Sequence, residues 1–234
     1  FNVAGLNNLK HLSCENNQLL KLNVDFLTKL TYLSCYSNEI MELPVSNLIN
    51  LEELYCDGNN IPSLKIGSLS KLTWLNCSDN ALPQLYVYGL TNLKGLKCSY
   101  NKLTSLDVSE LISLESLECF NNKLDTLDLS NLKNLNRLDC SQNELTSLLI
   151  RNGSMEKDYL KFSSNPNLKY VCADENQLDQ VQALVTQYGY SNCNVNAYCS
   201  FKPVGTYYTL EGNSKLDADN NDCDAQDINF PNLK

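Results

Sequence analysis

Apolar residues along most of this chain recur on one fixed beat, L-x-x-L-x-C-x-x-N-x-L-x-x-L-x-V-x-x-L-x-x, as in LKGLKCSYNKLTSLDVSELIS at 93–113. The beat is 21 residues long: Cys14, Cys35, Cys56, Cys77, Cys98, Cys119 and Cys140 are each followed three positions later by Asn17, Asn38, Asn59, Asn80, Asn101, Asn122 and Asn143. A unit of that length cannot bury its own apolar face, so the pattern predicts coils stacked on one continuous core. Within each unit L-x-C alternates as a strand does, turning Leu96 and Cys98 inward and Gly95, Lys97 and Ser99 outward. Stacked strands of this kind predict a parallel sheet on a concave face. The second half of each unit is too short for a full helix and predicts extended or short 3₁₀ returns on the convex side.

Each Asn sits where the chain bends out of its strand, where an amide can satisfy backbone groups that the bend leaves unpaired. The Cys column reads as a packed ladder of reduced thiols. Cysteine is a small, readily buried hydrophobe, and strands about 4.8 Å apart set the sulfurs in an open row rather than converging them on a metal.

The array changes near its end. LKFSSN at 160–165 puts Phe162 in the Cys position, and YVCADEN at 170–176 reads as a further unit, with Val171 in the Leu position, Ala173 in the Cys column, Asn176 in the Asn column and Cys172 turned outward. Leu178, Val181, Leu184, Val185 and Tyr188 then form one helical stripe ended by Gly189, which predicts a helix at about 176–188 capping the open core. The division expected is a solenoid with its cap over 1–190, followed by a segment at 191–234. Cys172, Cys193, Cys199 and Cys223 lie outside the ladder and read as a disulfide framework of an oxidising compartment. Three pairings are open to them. A helix that returns the chain beside Cys172 favours Cys172 with Cys193, which leaves Cys199 for Cys223.

In the last segment Asp217, Asp219, Asn221, Asp222, Asp224 and Asp227 are crowded together. Oxygen ligands at alternating positions suit Ca²⁺, and Asp217, Asp219, Asn221, Asp224 and Asp227 are the candidate ligands. The spacing departs from a helix-loop-helix calcium site at Asp222 and Ile228. A calcium-binding turn in a β-rich module and a solvated acidic linker therefore stand side by side.

The net charge of -9 argues against nucleic acid as a partner. No apolar run is long enough to cross a membrane as a helix. FNVAGLNNL at the start aligns with LNVDFLTKL at 22–30, and QDINFPNLK at the end breaks off as a strand begins, so both ends read as cuts in a longer protein. His11 is the sole histidine, and no nucleophile, phosphate-loop or zinc-protease motif accompanies it, so the chain is not expected to be an enzyme.

Variation between repeats carries more information. The outward columns hold Tyr32, Tyr36, Glu53, Tyr55, Asp57 and Trp74 on successive units, with Tyr100 and Phe120 as an extension. Large aromatics on a sheet face are the residue types of binding hot spots. They predict a monomeric module that engages a protein through the concave face. A glycan ligand on the same face, and a structural spacer in a larger surface protein, are the competing readings.

The cysteine ladder, the 21-residue unit, the closing stretch NPNLKYVCADENQ and the segment QYGYSNCNVNAYCSF leading into LDADNNDCDAQDI make the chain resemble secreted leucine-rich-repeat proteins of the Bacteroidetes. The repeats are also similar to those of cysteine-ladder internalins. The resemblance implies an α/β-type horseshoe, a secreted or bacterial cell-surface setting, and adhesion to or recognition of other macromolecules. From about 200 onward it implies the start of a calcium-binding β-sandwich module.

Overall fold

The computed structural model describes residues 3, 5–156 and 159–199, and the backbone of 215–216 and 228–229. The chain divides into two compact units, Phe1–Ser200 and Phe201–Lys234. In the first, every repeat contributes a three-residue strand just before its Cys: β1 His11–Ser13, β2 Tyr32–Ser34, β3 Glu53–Tyr55, β4 Trp74–Asn76, β5 Gly95–Lys97 and β6 Ser116–Glu118. From the sixth repeat on, the return also forms strands, so that β7 Thr126–Asp128 and β9 Ser147–Leu149 alternate with β8 Arg137–Asp139 and β10 Tyr159–Lys161. β11 Tyr170–Cys172, the helix α1 Leu178–Gln187 and β12 Asn194–Asn196 complete the unit.

The parallel strands make two sheets on opposite sides of the coil. The larger runs β1-β2-β3-β4-β5-β6-β8-β10 and the smaller β7-β9-β11-β12. Register in the large sheet is that of the sequence repeat, Leu33 opposite Leu54 and Leu54 opposite Leu75. One layer of core comes from each coil: Leu33, Cys35, Ile40, Leu43, Val45, Leu48 and Leu51 are all at most 5% exposed. All seven ladder cysteines are buried free thiols. The earlier returns are not 3₁₀ helices. They are extended and close by i to i+3 turns, with the Leu27 N–H donating to Val24 O at 2.9 Å and the Leu30 N–H to Leu27 O at 2.8 Å.

The Asn column joins the coils. Asn59 Nδ2 donates to Cys56 O (3.1 Å), to Asp57 O (3.2 Å) and to Cys35 O of the preceding coil (3.0 Å), while its Oδ1 accepts the Ile40 N–H (2.9 Å). Just before each Asn the backbone enters the left-handed region, at Asn16, Ser37, Gly58, Asp79, Tyr100, Asn121, Gln142 and Ser164, with φ between 51° and 62°. A single glycine among eight residues in that column shows that the Asn network holds the bend even where a Cβ resists it.

The end of the array departs from the expected register. β11 is not another rung of the large sheet, because Val171 pairs with Leu148 and Cys172 with Leu149 on the return side. The segment is the second half of the coil begun by β10. Phe162, in the Cys position of this last coil, meets the cap, with Tyr188 edge-on at 5.2 Å and Tyr190 stacked at 6.4 Å. The Tyr190 hydroxyl accepts the Asn165 N–H and donates to Phe162 O, closing the last bend. Val181 and Val185 of α1 complete the lid over the core. The residues inserted before β10 are tied to this cap by the buried Glu156, whose carboxylate accepts from Asn152 Nδ2 (3.2 Å) and Gln177 Nε2 (2.7 Å).

The disulfide is also not the one favoured by chain proximity. Cys172 is bonded to Cys199, and Cys193 is a free, half-buried thiol packed against the core edge. Parallel pairing of β12 with β11 sets Asn196 opposite Cys172, so the residues just beyond Asn196 reach it, whereas Cys193 falls one position short of β12. Cys172 does point away from the main core as the sequence suggests, into a small separate cluster with Leu149 and Tyr170. Cys223 and the candidate calcium ligands Asp217, Asp219, Asn221, Asp224 and Asp227 lie outside the described residues. Of the second unit, the antiparallel pair β13 Lys215–Leu216 and β14 Ile228–Asn229 is described.

Candidate binding face

The outward side chains of β2, β3 and β4 converge because sheet register is fixed by the buried leucines beneath them. Tyr32 stands opposite Glu53 and Glu53 opposite Trp74, while Ser34 stands opposite Tyr55. Diagonal neighbours on one sheet face are within reach of aromatic rings, and the Tyr32 and Tyr55 rings lie 5.6 Å apart. His11 stacks on Tyr32 at 5.5 Å and 23°, so the strip begins one coil earlier than the tyrosines alone suggest.

Tyr32, Tyr55 and Trp74 are half-buried, while His11 at the start of the strip is exposed. Trp74 lies flat on the next strand. A Cβ added at Gly95 would stand 2.2 Å from Trp74 Cζ3, so glycine in that column is what lets the indole settle against the backbone. The Tyr55 hydroxyl donates to Glu53 Oε2 at 2.9 Å, and burial followed by that carboxylate pushes the phenol up to about 12. Burial likewise raises the Asp57 carboxyl above its ordinary value, with Asp79 adding to the effect against Lys97 and a backbone donor. The Ser34 hydroxyl, enclosed on the same face, has no hydrogen-bond partner. Tyr36 and Asp57 occupy the column that follows each Cys, at the border of the strip.

Tyr100 and Phe120 meet edge-on at 5.0 Å as a separate pair, with Tyr100 half-exposed on its left-handed residue. Farther along, the face becomes a ladder of charges. Glu118 Oε1 is 3.3 Å from Lys97 Nζ and 3.1 Å from Arg137 Nε, Arg137 lies over the Tyr159 ring at 4.5 Å, and Lys161 is 3.7 Å from Asp139. Arg137 and Tyr159 were legible only from their shared column. The face thus has a first half of stacked rings edged by carboxylates and a second half of paired charges.

Among the described residues no helix is long and apolar enough to cross a membrane, and no three His, Cys, Asp or Glu side chains are grouped closely enough to hold a metal ion.

No family model and no curated protein matches this sequence. Solved structures do. The functional domain of InlJ from Listeria monocytogenes, which includes a cysteine ladder, is 31% identical with a TM-score of 0.63 over 83% of this chain and 51% of its own. A leucine-rich-repeat protein of Leptospira interrogans is 28% identical with a TM-score of 0.61, over 81% of this chain and 49% of its own. Internalin C2 from Listeria monocytogenes is 25% identical with a TM-score of 0.56, over 72% and 73%. The chain therefore spans about half the length of the first two. With the 21-residue cysteine spacing and the parallel coil, these likenesses show that the chain has the leucine-rich-repeat fold with a cysteine ladder, similar to that of the internalins.

Proposed function

We propose that the chain is an extracellular adhesion module that recognises a protein partner through the aromatic half of its large sheet. Folds of this kind commonly mediate protein binding, and the observation that carries the reading here is the row of rings. His11, Tyr32 and Tyr55 are in ring contact across three adjacent strands, and Trp74 follows on the fourth. Rings already held by their neighbours lose little rotamer freedom on binding, which is the condition for a hot spot. Glu53 and Asp57 beside them favour a partner that presents lysine or arginine, since a cation gains from both the carboxylates and the ring faces. Tyr36 edges the patch, and Tyr100 with Phe120 extends it. The Cys172–Cys199 bond suits an oxidising, extracellular setting.

The test is capture of a surface protein on the immobilised chain, followed by titration of that protein against variants. Trp74→Ala is expected to weaken binding at least about thirtyfold, equivalent to about 2 kcal/mol. Stability should fall by about 1 kcal/mol or less, because the indole covers Gly95 but lies outside the main core. Tyr86→Ala, on the return side, should leave affinity unchanged. Unaltered affinity in both Trp74→Ala and Tyr55→Ala rejects the reading.

A further inference from the structure

The freest aromatics of the repeats are not on the large sheet. Tyr86 and Tyr88, on the return of the fourth repeat, are 60% and 64% exposed, against 50% for Tyr100. They form one wall of a cleft of ≈ 230 Å³ whose other wall is the next return, with Asp107, Ser109 and Glu110. Their positions are fixed. The Tyr86 hydroxyl donates to Gln84 Oε1 at 2.6 Å, and the two rings lie 6.4 Å apart at 59°. Tyr88 lies over Gly67, where even a built Cβ would come within 3.4 Å of the ring. Across the cleft, Glu110 Oε2 accepts the Gly89 N–H at 2.8 Å and joins the two walls, while the Ser109 N–H donates to Asp107 Oδ1 at 3.0 Å. Hydrogen bonds from Ser109 also hold the Asp107 carboxyl below its ordinary value, so it stays an acceptor.

Exposed aromatic faces without a covering group mark a ligand surface, and a concave site that combines them with a few fixed polar groups selects a ligand having both kinds of surface. A pyranose ring is such a ligand. Its face of C–H groups stacks on an aromatic ring, and its rim of hydroxyls donates to carboxylates in charge-assisted hydrogen bonds. We infer that the return-side cleft between the fourth and fifth repeats binds an uncharged pyranose of a glycan, with Tyr86 and Tyr88 as the stacking platform and Asp107, Glu110 and Gln84 as hydroxyl partners. Two carboxylates at one wall disfavour sugars that carry an acid group. The site is independent of the sheet face, so one chain offers a protein surface and a glycan cleft on opposite sides.

Saturation-transfer NMR on the whole 234-residue chain tests this, with lactose, maltose, cellobiose and chitobiose as probes and sialyllactose as the acidic control. Transfer to the ring protons of at least one neutral disaccharide is expected, with the dissociation constant rising at least tenfold in Tyr88→Ala and in Asp107→Asn and unchanged in Trp74→Ala. Both side chains are on the surface, so the variants fold. Absence of transfer to all four neutral sugars, an unchanged constant in Tyr88→Ala, loss of binding in Trp74→Ala, or equal transfer to sialyllactose each overturns the inference.

Discussion

Raising the pH from 8 to about 10.5 is expected to unfold the repeats cooperatively, because the ladder thiols cannot ionise where they are. Burial pushes Cys14 up to about 11 and Cys77 up to about 12 from a usual value of 9.0, and it also raises Cys35, Cys56, Cys98, Cys119 and Cys140 well above that value. Below pH 9 the thiols are protonated in both states and the ladder contributes its full stability. Above it the unfolded chain releases protons that the folded chain retains, so stability falls as pH rises until the folded values are reached. Once the pH is well above 9, each such group costs about 1.4 kcal/mol per pH unit, and seven acting together cost about 10 kcal/mol per unit, comparable to the whole stability of an ordinary domain. Urea unfolding followed by circular dichroism at intervals between pH 8 and 10.5 measures this. A Cys77→Ala chain, one thiol poorer, should show a slope shallower by about 1.4 kcal/mol per unit. Stability that stays level up to pH 10 contradicts the buried, protonated ladder.

Removing one amide from the Asn column is expected to be nearly as damaging as deleting a core leucine. Asn59→Ala strips donors from three carbonyls and the acceptor from one N–H, all in or at the edge of a dry interior. With unmet buried groups at about 1 to 3 kcal/mol each and some relief by water, a loss of about 3 to 5 kcal/mol follows. Asn59→Asp should be no milder, although its shape is almost the same, because a carboxylate has no N–H to donate and would itself be buried charged. Among the described residues the Asn17 side chain bonds Cys14 O and Glu15 O, both within its own coil, so Asn17→Ala should cost about 1 kcal/mol. Denaturant midpoints for the three variants settle the matter. Equal losses at Asn17 and Asn59, or a benign Asn59→Asp, would show that the column is not the joint between coils.

Most of the solenoid was legible because its side chains obey a strict period. The inward direction of Leu33 or Cys35 follows from alternation alone, and stacking turns that into a sheet and a core. Where the period breaks, so does the inference. Y-V-C at 170–172 imitates the L-x-C strand, yet its distance from Leu160 is 11 residues, against the 10 that separate Leu138 from its return partner Leu148, and that spacing is the clue to a half-coil. The disulfide could not be read until β12 was known to pair with β11, since neither chain distance nor the helix reveals which residue stands opposite Cys172. The left-handed column carried no residue signature, because Tyr100 and Gln142 occupy it beside Gly58. On the binding face, column position gave the directions of Tyr32, Tyr55 and Trp74. It did not tell that Trp74 would lie down on Gly95, which depends on a residue missing its side chain one coil away. The cleft at Tyr86 and Tyr88 depends on the spacing of two returns, and no sequence period reports that.

Hydroxyl-radical footprinting of the chain with a captured protein partner is the most direct test of the recognition face, because oxidation rates report solvent access at individual aromatic side chains. The binding face predicts that the partner slows oxidation of Tyr32, Tyr36, Tyr55 and Trp74 severalfold while Tyr86 and Tyr88 react as in the free chain. Protection at Tyr86 and Tyr88 with none at Trp74 and Tyr55 would contradict it.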